Sequence, residues 1–287
     1  NSLAISSTDF DEGHRKAVGH PASNVVAIAL ELGRYLKKTK KEIFKSILIG
    51  YEVACRFSLS RNTKKISTYS SGRWGALGSA ATAAYLLELD ADATAQALSN
   101  ASILSPAMLG GSTDVSTGSM SKEGVAWAVQ SGFQSAIMAK DGFSGPYLFV
   151  DDHDDYNSEL LLTDLGKQWL INSNYFKPYA CCRWLHSAVS AAELIRLKPD
   201  FKLNEIKKIV INTFSRAIDL IGGKYPDNTV KAQFHLPYVV STMLLNAELG
   251  PLSFQNERLN DKEVLSLIDK TELISSDKYS SVFPASL

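Results

Sequence analysis

The stretch GALGSAATAAYLL at residues 75–87 decides the fold, because small side chains fill most of its positions. Alanine favours a helix, and small side chains on one helix let a neighbouring helix approach closely. The stretch therefore predicts one member of a tightly packed helical bundle.

Apolar residues recur at helical spacing on both sides of this stretch. One expected helix begins at Pro21, and the next follows a lysine-rich break at residues 37–41. Asp92 is expected to cap a further helix. A loop rich in Gly, Ser and Thr at residues 110–121 then leads into a long helix over residues 122–140.

The pattern changes after about residue 165. Residues 208–214 alternate and are rich in β-branched side chains, which predicts a strand. We expect helices after Arg183, over residues 229–249 and from Asp261, and a second strand at residues 279–283.

The sequence thus predicts a mainly α fold with two domains. A chain of 287 residues has room for two, at roughly 100–200 residues per domain. We expect a large all-helical domain over residues 1–168 and a smaller α+β domain over residues 169–287.

Charge and composition exclude several classes of protein. Thirty Lys and Arg residues balance thirty Asp and Glu residues, so the formal net charge is +0. A neutral chain has no overall field that gathers nucleic acid or anionic lipid, so neither is an expected partner. Apolar stretches end before the roughly 18 residues that span a bilayer, and no signal peptide is visible. The three cysteines form neither a disulfide framework nor a zinc pattern, and we expect a cytoplasmic protein.

Polar residues that could do chemistry are concentrated in short segments. The segment DFDEGHRKAVGHP at residues 9–21 places Asp9, His14 and His20 in a Gly-containing loop ahead of a helix. Histidine titrates closest to neutral pH, and a flanking carboxylate can fix its tautomer. The segment predicts an acid–base site; the alternative is a capped loop with surface charges.

Two further segments carry cations near a helix start. The segment STYSSGRWG at residues 67–75 contains Tyr69 and Arg73, and this arginine could bind a carboxylate. The segment SMSKEG at residues 119–124 places Lys122 at the positive end of a helix, where an anionic ligand would be favourable. The alternatives are an arginine in a surface contact and an exposed lysine.

The segment FKPYACCRWLH at residues 176–186 concentrates Lys177, Arg183 and His186 ahead of a helix. Cys182 could be a thiolate nucleophile near this histidine, although cysteine is among the residues most often buried for structural reasons.

The acidic run DDHDD at residues 151–155 offers hard ligands for a divalent ion. Contiguous carboxylates rarely converge on one ion, which favours a solvated charge run instead. No metal site is therefore predicted.

In their order along the chain, these segments resemble the motifs of the MmgE/PrpD family. That family includes 2-methylcitrate dehydratase, cis-aconitate decarboxylase and iminodisuccinate epimerase. The resemblance covers essentially the whole chain. The matching segments are DFDEG at 9–13 (D-F-D-D-T/G), GHP at 19–21 (H-P-S/G), the alanine-rich residues 75–90, SK at 121–122 (T-K-x-x-H), residues 177–186 (K-P-Y-P-x-C-R-x-x-H) and AQFHLPY at 232–238 (A-x-F-S-x-x-Y).

The resemblance implies a helical domain with a smaller α+β lid domain and a site in the cleft between them. It implies a small di- or tricarboxylate substrate, no metal or organic cofactor, and a homodimer. With the residue types above, it gives these candidates: catalytic Asp9, His14, His20, Lys122 and Lys177, and substrate-binding Tyr69, Arg73, Arg183, His186 and Tyr238.

The leading hypothesis is a cofactor-independent lyase, similar to 2-methylcitrate dehydratase, that removes a proton next to a carboxylate. The alternatives are an epimerase of a dicarboxylate, similar to iminodisuccinate epimerase, and a non-catalytic helical interaction protein. Four departures from the family pattern weaken the case for decarboxylation and for strict 2-methylcitrate specificity. Gly13 stands for a usual Thr, the loop to His20 is one residue longer than in cis-aconitate decarboxylase, and Tyr69 and Cys182 stand for histidines. The resemblance also predicts that the chain lacks N-terminal helices and is truncated within the α+β domain.

Overall fold

The computed structural model describes residues 1–62, 65–66, 70–106, 122–146, 150 and 155–283. The chain divides into two compact units. The N-terminal unit holds the described residues among 1–6, 11–111 and 121–176, and the C-terminal unit those among 7–10, 112–120 and 177–287. The predicted domain ranges, 1–168 and 169–287, stay predictions.

Helices dominate the chain up to residue 162. They are α1 (Ser2–Ser7), α2 (Pro21–Tyr35), α3 (Lys40–Ser60), α4 (Gly72–Leu86), α5 (Ala91–Leu104), α6 (Val125–Lys140) and α7 (Ser158–Leu162). Short 3₁₀ turns cover Lys122–Gly124 and Leu170–Ser173. The helices predicted from Pro21, after the lysine-rich break and over the alanine-rich stretch are confirmed.

The alanine-rich helix α4 is buried at nearly every position, as expected for a helix surrounded by others. Glycines bring its backbone against those of α3 and α6. A Cβ atom at Gly78 would lie 2.6 Å from the backbone oxygen of Gly50 on α3. A Cβ atom at Gly132 on α6 would lie 2.5 Å from the backbone oxygen of Ala76. The small residues of the sequence therefore permit backbone-to-backbone packing.

Side-chain caps set where two of these helices begin. The hydroxyl of Thr39 accepts from the backbone N–H of Glu42, so α3 begins at Lys40, inside the predicted lysine-rich break. The carboxylate of Asp90 accepts from the backbone N–H of Ala93 at 2.8 Å and caps α5. The prediction that Asp92 is the cap is wrong, because the helix has already begun and this residue lies in its first turn.

Strand β1 (Glu12–His14) lies within the segment predicted to be a loop, and this is a correction. It pairs antiparallel with β2 (Asn174–Phe176), which places His14 opposite Asn174. Three-residue strands carry no detectable periodicity, and their pairing partner is distant along the chain.

The C-terminal unit mixes helices with a small sheet. Its elements are a 3₁₀ turn (Arg183–Leu185), α8 (His186–Arg196), β3 (Ile209–Thr213), α9 (Ser215–Asp219), α10 (Thr229–Phe234), α11 (Leu236–Asn246), α12 (Asn256–Leu259), α13 (Lys262–Asp269), β4 (Thr271–Ser275) and α14 (Asp277–Ser280), with further 3₁₀ turns at Leu203–Glu205 and Pro251–Phe254. Strands β3 and β4 are parallel, and α11 packs against both α8 and α13. The mainly α fold with a smaller α+β part is confirmed.

Two predictions in this unit are wrong. The helix expected over residues 229–249 is interrupted at His235, where Pro237 follows and the His235 ring caps α11 by accepting from the N–H of Tyr238. The strand expected at residues 279–283 is instead the helix α14 and a turn. Phe283 does not pair in a sheet. Its ring stacks on that of Phe214, with the ring centroids 5.0 Å apart.

Some predictions fall outside the described residues. They concern Tyr69, the loop at 110–121 and most of the acidic run, residues 151–154. Within the part of the chain that is described, no helix is both long and apolar enough to cross a membrane.

Candidate active site

His20 stands immediately before α2, in the N-terminal unit. Its ring atom Nδ1 lies 2.6 Å from the backbone oxygen of Glu12. A carbonyl oxygen can only accept, so Nδ1 donates and carries a proton. In the neutral ring, Nε2 therefore holds a lone pair, which is the form that a general base requires.

Carboxylates lie on both sides of this ring. The Asp11 atom Oδ1 is 3.4 Å from Nδ1, and the Glu123 atom Oε1 is 3.7 Å from Nε2. The other oxygen of Asp11 accepts from the hydroxyl of Ser23 at 2.7 Å. The imidazole is thus held within a polar, largely buried setting with 13% of its side chain exposed.

Glu12 supports the same turn with its side chain. One carboxylate oxygen accepts from the backbone N–H of Ala22 in the first turn of α2, and the other accepts from the Tyr51 hydroxyl at 3.1 Å. Burial raises the pKa of Glu12 to about 7, although the Ala22 N–H opposes this shift. Burial also raises the pKa of Tyr51.

His14 is buried in strand β1 and packs edge-on against Tyr51, with ring centroids 6.4 Å apart. Its Nδ1 accepts from the backbone N–H of Ala17 at 3.1 Å, so its neutral tautomer is the opposite of that of His20. Burial lowers the pKa of His14. Burial therefore disfavours the charged ring, and the catalytic role of His14 stays a prediction.

Lys122 and Arg73 differ in exposure. Lys122 is only 3% exposed, in the 3₁₀ turn that precedes α6, although the α-helix itself begins three residues later. A buried ammonium is costly, and this burial is unusual for a lysine. Arg73 lies exposed in the first turn of α4.

In the C-terminal unit, Asp9 and Lys177 form a buried ion pair. Their side chains are 5% and 0% exposed, and Nζ lies 3.1 Å from Oδ2. The same ammonium donates to the backbone oxygen of Asp9 at 3.3 Å. Asp9 has a left-handed backbone (φ 49°), so the ion pair holds a conformation that few non-glycine residues adopt.

His186 and Arg183 are also in this unit. Nε2 of His186 donates to the backbone oxygen of Cys181 at 3.0 Å. Burial lowers the pKa of His186 to about 4, and the charges of Lys177 and Arg183 add to the effect. Arg183 is half-buried in the turn before α8.

Tyr238 is fully buried, and its hydroxyl donates to the backbone oxygen of Ser253 at 2.7 Å. Burial raises its pKa to about 12. The contacts are those of a core residue of α11, and a role in substrate binding stays a prediction.

Sequence reasoning missed several polar residues around these candidates. Glu12, Ser71 and Glu123 lie within the quoted segments but were not singled out. Gln233, which is buried and donates to the backbone oxygen of Ser7 at 2.9 Å, lies within the AQFHLPY segment. The sequence shows that these residues lie beside candidate residues, and this could have drawn attention to them. It does not show their hydrogen-bond partners.

Across the described ranges, no group of three or more His, Cys, Asp or Glu side chains is arranged to hold a metal ion. The expectation that no cofactor is needed stays a prediction.

Comparison with known proteins gives two family matches. The model of the MmgE/PrpD N-terminal domain matches residues 1–159, and that of the MmgE/PrpD C-terminal domain matches residues 179–287.

Individual relatives are similar at low identity. A cis-aconitate decarboxylase-like protein of Aspergillus oryzae is 22% identical over 97% of this chain and 64% of its own length. The cis-aconitate decarboxylases of Homo sapiens and Mus musculus are each 24% identical, over 95% of this chain and 60% and 59% of their own lengths. The chain thus spans about three fifths of the length of these relatives.

Proposed function

The chain belongs to the MmgE/PrpD family, and we propose that it is a cofactor-independent lyase acting on a small hydroxy di- or tricarboxylate. The reaction is acid–base chemistry at a carbon next to a carboxylate, as in 2-methylcitrate dehydratase. A base takes the proton from that carbon, the C–O bond on the adjacent carbon breaks, and the departing hydroxyl is protonated. The products are an alkene and water.

The observation that carries this proposal is the tautomer of His20. Its Nδ1 donates to the backbone oxygen of Glu12, so the neutral ring offers the Nε2 lone pair as the base. His14 and His186 are the other histidines considered for the role. Both are buried, whereas His20 keeps part of its side chain exposed, which favours His20.

A buried lysine in the N-terminal unit supports an anionic substrate. Lys122 is 3% exposed, and an ammonium in such a setting attracts a carboxylate more strongly than an exposed one. In the C-terminal unit, Lys177 already pairs with Asp9, so a substrate carboxylate would share this ammonium with Asp9. Substrate binding by both lysines is part of the proposal, as are the roles of Asp9, Arg73, Arg183 and Tyr238.

A direct assay tests the reaction. The protein is mixed with 2-methylcitrate or citrate, and ultraviolet absorbance is followed for a conjugated alkene. Lys122→Met should raise KM at least 10-fold by removing a cation, whereas Lys140→Met, on an exposed lysine at the end of α6, should leave KM unchanged. Equal KM values in the two variants, or no alkene from either compound, would count against the proposal.

Decarboxylation is a second candidate, favoured by one observation: the three relatives are named cis-aconitate decarboxylase or a protein like it. In that reaction the bond to a carboxylate carbon breaks, CO₂ leaves and the resulting carbanion is protonated. Release of CO₂ from cis-aconitate, without alkene formation from 2-methylcitrate or citrate, would select it over dehydration.

The proposal includes a homodimer in the cytoplasm. Light scattering on the purified protein measures the oligomeric state. A mass of twice 31.3 kDa is expected, and a mass of 31.3 kDa would rule out the dimer.

A further inference from the structure

Three hydrogen bonds link His20 with Ser71 and Ser71 with Glu123. The backbone N–H of His20 donates to Oγ of Ser71 at 2.9 Å. The same hydroxyl donates to Oε2 of Glu123 at 2.5 Å, and the Ser71 backbone N–H donates to that oxygen at 2.9 Å. The second oxygen of Glu123 lies 3.7 Å from Nε2 of His20. That distance is longer than a hydrogen bond, so the Glu123 carboxylate faces the ring as a neighbouring charge.

Every donor and acceptor role in this set is determined. A serine hydroxyl has one proton, which goes to Glu123, and its lone pairs then accept from His20. Only a carboxylate or amide oxygen at position 123 can accept both protons of Ser71. Replacing Ser71 by alanine would remove the hydroxyl link and leave the backbone N–H of His20 without this acceptor.

Two glycines make the approach possible. A Cβ atom at Gly19 would collide with Oγ of Ser71 and lie 2.6 Å from the ring of Trp74. A Cβ atom at Gly72 would lie 2.5 Å from the backbone oxygen of Glu123. Gly19 is therefore packed against the side chains of Ser71 and Trp74, and Gly72 against the backbone of Glu123.

The turn at Glu123 is strained. Its φ is 55°, in the left-handed region, and Gly124 follows with φ 67°. A side chain disfavours this conformation, so the two hydrogen bonds from Ser71 to the Glu123 carboxylate help to hold it. The buried Lys122 is the preceding residue, and its position depends on the same turn.

We propose that Glu123 is a positioning residue that acts through Ser71 to hold the His20 backbone and the Lys122 turn, and that places a negative charge beside Nε2. This inference rests on the proposed function, in which His20 is the base. Glu123 itself is not assigned contact with substrate.

NMR of the histidine ring nitrogens tests the arrangement without any substrate. The His20 signal, among five histidines, is assigned with the His20→Asn variant. In Glu123→Gln the ring should titrate at lower pH than in wild type, because the protonated ring loses one neighbouring negative charge and keeps that of Asp11. The exposed Glu159→Gln is the control and should titrate as wild type. An unchanged His20 titration in Glu123→Gln would overturn the proposal.

Kinetics test the positioning itself. Ser71→Ala and Glu123→Ala should lower kcat by about 10–100-fold, because a small displacement of the base slows proton transfer. Both should also raise KM, by less than Lys122→Met does, because the turn that carries Lys122 is loosened while its cation is kept. Glu123→Gln, whose amide oxygen still accepts from Ser71, should recover part of kcat. Wild-type kcat in both alanine variants would overturn the positioning role. If wild type turns over none of the polycarboxylates, the proposed function fails, and the NMR titration still decides whether Glu123 lies beside the His20 ring.

Discussion

His20 donates from Nδ1 to the backbone oxygen of Glu12, over 2.6 Å. Glu12 thus has two roles. Its backbone oxygen fixes the tautomer of the proposed base, and its carboxylate caps α2 by accepting from the N–H of Ala22. Strand β1 carries Glu12 and is paired with β2, so the sheet holds the acceptor in place.

The buried carboxyl of Glu12 makes stability depend on pH. Its pKa is about 7 in the folded chain and 4.5 in the unfolded chain, so the folded state binds more protons between these values. Stability from this group is fully present below pH 4.5 and is lost as pH rises through 7, by roughly 3 kcal/mol. Glu12→Gln should remove this loss. Urea denaturation at pH 4.5 and pH 8 measures the free energy of unfolding of both proteins. If that free energy changed equally with pH in wild type and variant, the carboxyl of Glu12 would not be the group that binds the proton.

His186 should act in the opposite direction, in the C-terminal unit. Its pKa is about 4 when folded and 6.5 when unfolded, so the unfolded chain binds more protons between these values. Stability from the neutral ring is present above pH 6.5 and is lost as pH falls through 4, by about 3 kcal/mol. His186→Gln should lessen that acid loss in urea denaturation. The two groups oppose each other between pH 4.5 and 6.5, so each variant is compared with wild type at the same pH. An acid loss as large in His186→Gln as in wild type would refute the assignment.

The Asp9–Lys177 ion pair should show strong coupling. Lys177→Met leaves a buried carboxylate and Asp9→Asn leaves a buried ammonium, so each should lower the free energy of unfolding by about 3–5 kcal/mol. The double variant should cost much less than the sum, because neither charge is then left alone.

The exposed pair Lys202–Glu205 is the control for this cycle, with side chains 63% and 64% exposed, and should show coupling near zero. Additive losses for Asp9 and Lys177 would mean that the two side chains do not interact in solution.

The sequence predicted the helices of the N-terminal unit because their signals are local. Periodic apolar residues mark α2 and α3, and small residues mark α4, whose packing against α3 follows directly from Gly50 and Gly78. The strands were harder. Strands β1 and β2 are three residues long and far apart in sequence, so neither periodicity nor a turn reveals them. The tail around Phe283 has strand-like composition, but its aromatic ring packs into the core instead.

The candidate site shows the same limit. Polar residues concentrated in short segments singled out His20, Lys122 and Lys177, and the family resemblance agreed. The partners of His20 could not be found this way. Ser71 and Glu123 lie about 50 and 100 residues from it along the chain, and only the fold brings Ser71 to its backbone N–H and Glu123 to its ring.

In the proposed reaction, Nε2 of His20 removes a proton from a carbon next to a carboxylate. The most direct measurement is the rate at which wild type and His20→Asn convert 2-methylcitrate or citrate in D₂O, followed by proton NMR. The Asn side chain can still donate to the Glu12 oxygen and can still precede a helix, yet it has no basic nitrogen. We predict a loss of about 10²–10⁴-fold in kcat with wild-type stability. Conversion by His20→Asn at the wild-type rate would show that His20 is not the base.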